Sequence, residues 1–149
     1  IIMFSILIVS HSKLADGFKE SAKTIFSDVQ NIESLGLFPT DDITNFNEKI
    51  IEKINKLDND KGILIFTDLV SASPYTQSQI AISKLENKEN ISLIGNLNFQ
   101  MLIEAINGQV LDYDLDKVVE SVLEVSKQEI FEWKYEKIQI ENPDEDDDF

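Results

Sequence analysis

Apolar residues recur along this chain in two alternating rhythms. Phe4-Ser-Ile-Leu-Ile-Val9 is a continuous apolar run rich in β-branched residues, the pattern of a strand covered on both faces. From Lys13 to Phe26 the spacing becomes helical, with Leu14, Phe18, Ala22, Ile25 and Phe26 on one side. Ile32, Leu35, Leu37 and Phe38 predict a second, weaker strand, stopped by Pro39. Asp41 and Asp42 are candidate N-caps for a helix carrying Phe46, Ile50, Ile54 and Leu57. Gly62 to Asp68 repeats the fully buried strand type. Ser73-Pro74 reads as an N-cap followed by proline at the first helical position, opening a helix to about Leu85.

Ile91 to Ile94 predicts a short strand, followed by a helix from about Phe99 to Gly108, where glycine is a natural stop. Asp114 caps a last helix with Leu115, Val118, Val122 and Val125. Trp133 to Ile140 alternates like a strand, and its apolar parity changes between Tyr135 and Ile138, which predicts a bulge or a strand serving two environments. The alternation of strand and helix predicts an α/β fold, an open, mainly parallel sheet with helices on both faces. The common strand order for such a sheet, 2-1-3-4, is expected, with an added C-terminal strand, antiparallel or exchanged between subunits. Residues 1–142 read as one domain. Residues 143–149, dominated by Asp144 to Asp148, read as a solvated, disordered acidic tail.

Composition narrows the chemistry. The 149 residues, 42% hydrophobic and 28% charged, suffice for a real core. Lys and Arg number 13 against 28 Asp and Glu, a formal charge of −15 that argues against a nucleic-acid partner. There is no cysteine, so no disulfide and no thiolate nucleophile or ligand. With His11 as the single histidine, a zinc site would need carboxylates for nearly every ligand, and no metal is expected. The opening apolar run lacks a basic n-region and a cleavage site and is too short to cross a bilayer. Ile1 and Ile2 precede Met3, the expected native start.

In open α/β sheets ligands bind beyond the carboxyl ends of the strands, where strand order reverses. The first strand ends at Ser10-His11-Ser12 and the third at Thr67-Asp68, and in the order 2-1-3-4 those strands are neighbours. Histidine and carboxylate therefore meet at the crevice. Ser73-Pro74 adds a helix N-terminus, whose free N–H groups suit an anion such as phosphate. A phosphoaccepting receiver domain would need acids where this chain has Ser-His-Ser. A flavodoxin-type site would need a hydroxyl- and glycine-rich loop in place of Ser12-Lys-Leu-Ala-Asp-Gly17. A serine hydrolase built from His11, Asp68 and Ser71 or Ser73 lacks the G-x-S-x-G elbow, and neither a P-loop nor G-x-G-x-x-G occurs.

Three segments in order, Ile6 to Gly17, Gly62 to Leu69 with Ser73-Pro74, and Asn98-Phe-Gln-Met-Leu102, resemble the mannose-family IIA component of the bacterial sugar phosphotransferase system. The likeness runs from about Phe4 to Ser126. It implies that His11 is phosphorylated by the phosphocarrier protein HPr and passes the group to a IIB component during sugar uptake. It further implies that Asp68 hydrogen-bonds the histidine and that Ser73 lies beside the phosphate; Thr67 is the other expected phosphate-binding residue. A cytoplasmic homodimer that exchanges a strand, here Trp133 to Ile140, is implied too, with no cofactor and membrane contact only through the transporter. Alternatives are a regulatory domain of the same fold signalled by His11 phosphorylation, and the related subunit serving dihydroxyacetone kinase, which Pro74 and Asn98 to Leu102 disfavour.

The resemblance also marks three departures. Ser71-Ala72 stands where the family commonly has two glycines. A positive φ at Ala72 would cost about 1 kcal/mol or more, unless the loop takes another path. Asn96 stands where glycine is usual, a mild change because asparagine tolerates the left-handed region. Gln100 replaces a usual proline at the start of the fourth helix.

Overall fold

The structure is a computed structural model that describes residues 3–57, 60–128 and 130–136. Strand β1 (Ser5–His11) leads to helix α1 (Leu14–Ile25), and β2 (Ile32–Leu37) leads through a 3-10 turn (Ile43–Asn45) to α2 (Phe46–Lys56). Then follow β3 (Ile63–Thr67), α3 (Ser73–Ser83), β4 (Ile91–Ile94), α4 (Phe99–Val110) and α5 (Leu115–Gln128). The four strands form a parallel sheet, as the alternation of elements predicts, in the expected common order β2-β1-β3-β4.

Both faces of the sheet are covered, which explains the uninterrupted apolar runs. Ile6, Ile8, Leu64 and Phe66 pack under α1, α4 and α5, through Ala15, Ala22, Leu102, Ala105, Ile106, Val118 and Val122. Leu7, Val9, Ile63 and Ile65 face the other way, against Phe46, Ile50 and Ile54 of α2 and Ala81 of α3. The chain leaves β1 in one direction to reach β2 and returns across β1 to reach β3. Strand order therefore reverses between β1 and β3, and the crevice opens where His11 and Asp68 lie.

Three local expectations change. Gly108 does not stop α4, which continues to Val110; a Cβ at Gly108 would lie 2.4 Å from Val118 Cγ2, so the glycine admits α5 against α4. The N-cap of α3 is Ala72, not Ser73, and it makes no side-chain cap bond. Asp42 caps the 3-10 turn ahead of α2, accepting from Thr44 N–H at 3.0 Å. Asp41 closes the turn after β2, accepting from Phe38 N–H at 2.7 Å and Lys49 Nζ at 2.9 Å, and these bonds hold its carboxyl below the usual range. Of the expected strand Trp133–Ile140, residues 133–136 are exposed and carry no ladder, and the rest lies outside the described residues, as does the acidic tail.

Candidate functional site

His11 is the last residue of β1 and the first exposed one, after six buried positions. The turn that follows is tied down by its neighbours. Ser10, fully buried, accepts the Ala15 N–H on Oγ at 2.7 Å and so satisfies a first-turn donor that the N-cap residue Lys13 leaves free. Ser12 takes a left-handed φ of 49° and donates its N–H to Leu37 O at 2.8 Å. Gly36 makes that approach possible: a Cβ there would sit 2.0 Å from the Ser12 carbonyl oxygen. Because that obstacle is backbone, Gly36→Ala should cost about 1–3 kcal/mol of stability in denaturant titration and shift the amide resonances of His11 and Ser12.

Asp68 follows β3 directly. Its Oδ2 accepts the His11 backbone N–H at 2.9 Å and lies 2.7 Å from His11 Nδ1, while Oδ1 accepts the Leu69 N–H at 3.0 Å. The carboxylate is nearly buried, 8% exposed, whereas the imidazole is 47% exposed. A carboxylate only accepts, so Nδ1 carries the proton in the neutral ring and Nε2 keeps its lone pair. The crevice thus presents a nucleophilic nitrogen backed by a buried negative charge.

The β3–α3 loop completes the rim. Ser71, at φ 64°, holds the left-handed position, and Ala72 is extended at φ −84°, so the strain foreseen for Ala72 does not arise. Val70 N–H donates to Asn96 Oδ1 at 3.1 Å, and Asn96 itself takes φ 54°. Gly95 lets that loop close up, since a Cβ there would meet Val70 Cγ2 at 2.3 Å. Leu97 N–H reaches Thr67 O at 3.0 Å, and Asn98 caps α4 by accepting from Met101 N–H at 2.9 Å. Asn96 and Gly36 are thus supports of the site that periodicity could not reveal. Asn96 stood out only as a departure from the family pattern.

Ser73 opens α3, half-buried, and among the described residues its hydroxyl makes no hydrogen bond. The first intrahelical bond runs from Thr76 N–H to Ala72 O at 2.9 Å. The Ser73 and Tyr75 N–H groups therefore precede the ladder, and Pro74 has none to satisfy. Thr67 is fully buried, paired across the sheet with Val9, and among the described residues its Oγ1 has no partner. By strand alternation Thr67, Val9 and His11 point to the face that α3 covers. Among the described residues no three His, Asp or Glu side chains gather to hold a metal ion.

Comparison with known proteins gives a consistent picture. Residues 5–123 match the model of the family described as "PTS system fructose IIA component". The sorbose-specific EIIA component of Lacticaseibacillus casei is 29% identical over 103 residues, covering 68% of this chain and 72% of that protein. The mannose-specific EIIAB component of Escherichia coli K12 is 25% identical over 125 residues, 83% of this chain, and the chain spans only 38% of its length. In three dimensions, the mannose/sorbose-specific IIA subunit from Enterococcus faecalis superposes with a TM-score of 0.78 at 15% identity, covering 92% of this chain and 99% of that one.

Proposed function

Since the chain belongs to the mannose/fructose-type IIA family of the sugar phosphotransferase system, we propose that it is a phosphocarrier working through His11. Nε2 of His11 attacks the phosphoryl group of phospho-HPr. The new N–P bond forms as the donor's N–P bond breaks, and the ring keeps its Nδ1 proton as it becomes cationic. A IIB component then takes the group by the reverse attack during sugar uptake, on the cytoplasmic side of the membrane. Among the described residues no helix is long and apolar enough to cross a membrane.

The observation that carries this reading is the shared oxygen of Asp68. By accepting from both the backbone and the ring of His11, it fixes the rotamer and tautomer with Nε2 free, and it stabilises the cation formed on phosphorylation. The phosphoryl oxygens are received by the Ser73 hydroxyl, the N–H groups of Ser73 and Tyr75 and the positive end of the α3 dipole. Thr67 Oγ1, buried on that face and without a partner among the described residues, is the further donor this reading assigns to the phosphoryl group. Such a cradle holds phosphate without the grip of an Arg clamp, which suits a group that must move on.

Two substitutions separate the donors. Ser73→Ala should slow transfer about tenfold, the worth of one hydrogen bond to a charged group. Thr67→Val replaces a hydroxyl that has no partner with a methyl, so stability should hold or rise; a slowed transfer would show that the hydroxyl serves the phosphoryl group.

The same reading includes a homodimer. β4 is a sheet edge with Ile91 and Leu93 only half-buried, and beyond α5 Ile130, Phe131, Trp133 and Tyr135 are all exposed. A partner's segment laid over such surface would bury both. Light scattering at a single-chain mass would remove this part.

The decisive experiment mixes the protein with phosphoenolpyruvate, enzyme I and HPr, and reads intact mass before and after acid. One phosphoryl group, labile to acid and stable to alkali, is expected. No added phosphate, with HPr itself charged, would overturn the carrier reading and favour a domain that acts by binding.

A further inference from the structure

The helix that carries Ser73 to the crevice has an unusual seat. α3 fully buries only Pro74, Gln77, Ser78 and Ala81. Ile82 in its last turn packs half-buried against the core, and along the turns nearer Ser73 no large apolar side chain is fully buried to key the helix in place. By contrast α2 buries Phe46, Ile50 and Ile54, and α4 buries Met101, Leu102 and Ile106. Ser78 spends its hydroxyl within the helix, on Pro74 O at 2.7 Å. Around Gln77 the contact is flat and made by small residues, which resists separation but opposes sliding only weakly, because it has no fully buried knob to withdraw from a hole.

Gln77, one turn beyond Ser73, supplies what packing does not. Its Oε1 accepts the backbone N–H of Asn47 at 3.0 Å and Asn47 Nδ2 at 2.9 Å. Both residues are buried. The Asn47 N–H belongs to the first turn of α2, where no carbonyl of that helix can reach it, so α3 caps α2. Asn47 also donates from Nδ2 to Thr44 O at 3.0 Å, and its Oδ1 receives Lys84 Nζ at 2.7 Å from the far end of α3. Any slide or roll of α3 would break these bonds together and strand buried polar groups.

We propose that Gln77, through Asn47, is a positioning residue for phosphoryl transfer: it sets the height of the α3 N-terminus, and with it the Ser73 hydroxyl and the Ser73 and Tyr75 N–H groups, against His11. This rests on the carrier reading above. The test follows phosphorylation by phospho-HPr in rapid-quench experiments on wild type, Gln77→Leu, Gln77→Glu and Gln109→Leu, and records the Ser73 and Tyr75 amide resonances of the unphosphorylated proteins. Gln109→Leu is the control, because it removes another buried bond between elements, Nε2 to Phe4 O at 2.9 Å, at the opposite end of β1.

Gln77→Leu should slow the transfer step about 10- to 100-fold, leave KM for phospho-HPr unchanged and shift both amides. Gln77→Glu keeps the acceptor oxygen and should restore both readouts, whereas Gln109→Leu should alter neither. A wild-type rate in Gln77→Leu, or an equal slowing in Gln109→Leu, overturns the proposal. Should Gln77→Leu fail to fold, Asn47→Asp, which sets a carboxylate oxygen against Gln77 Oε1 where Nδ2 donated and keeps an acceptor for Lys84, carries the test: unchanged rate and amides overturn it. A wild type that takes no phosphate defeats the carrier reading instead, and the amide shifts still decide whether Gln77 positions α3.

Discussion

His11→Ala is expected to carry no phosphate at all after incubation with charged HPr, while folding as stably as the parent protein. The loss should be complete because the chain has no second histidine and no cysteine to take over as a nitrogen or thiolate nucleophile. The fold should survive because the imidazole is 47% exposed and contributes little to the core. Its backbone N–H, which donates to Asp68 at 2.9 Å, is untouched by the substitution. Mass spectrometry and thermal unfolding of the same sample read both halves of the expectation. Undiminished acid-labile labelling of the alanine variant would mean that phosphate goes elsewhere and that His11 is a structural residue.

Asp68→Asn is the second large effect, and its direction follows from the hydrogen bonds. The oxygen facing His11 must accept from both the backbone N–H and Nδ1–H. An asparagine therefore turns its carbonyl oxygen that way, and the tautomer survives. Its amide group is then left against the Leu69 N–H, donor against donor, where the carboxylate accepts at 3.0 Å. Leu69 is exposed, so water relieves the conflict and the cost should be about 1–2 kcal/mol.

The larger loss is kinetic. The ring becomes cationic on phosphorylation, and the nearly buried charge that met it has gone. Transfer to Asp68→Asn should fall about 10²-fold, with His11 still the labelled residue. Asp68→Ala, which frees the ring to rotate as well, should fall further. Equal transfer rates in Asp68→Asn and the parent protein would reduce Asp68 to a turn residue.

Much of this was legible along the chain. The runs Phe4–Val9 and Gly62–Asp68 announced central strands because each is buried on both faces, and a two-sided strand needs no partner information to be recognised. Their order then placed His11 beside Asp68. What misled was local chemistry with more than one use. Gly108 resembles a helix stop, yet it is small in order to admit Val118. Ser73 resembles an N-cap, yet the chain enters α3 one residue earlier, at Ala72.

The sequence by itself determined the strands and helices and placed His11 and Asp68 at strand ends, because burial imprints a period of 2 or 3.6 on neighbouring residues and the strand ends follow from it. The order 2-1-3-4 that makes those strands neighbours is the common one for such sheets. Only the tertiary structure decided which oxygen serves two donors, that the left-handed residue of the β3–α3 loop is Ser71, that Thr67 Oγ1 is left without a partner among the described residues, and that Gln77 meets Asn47. Those features join residues 30 to 57 positions apart or depend on how a loop closes. No period along the chain records them, since each is settled by angstrom-scale packing of elements whose faces, but not whose contacts, are written in the residue pattern.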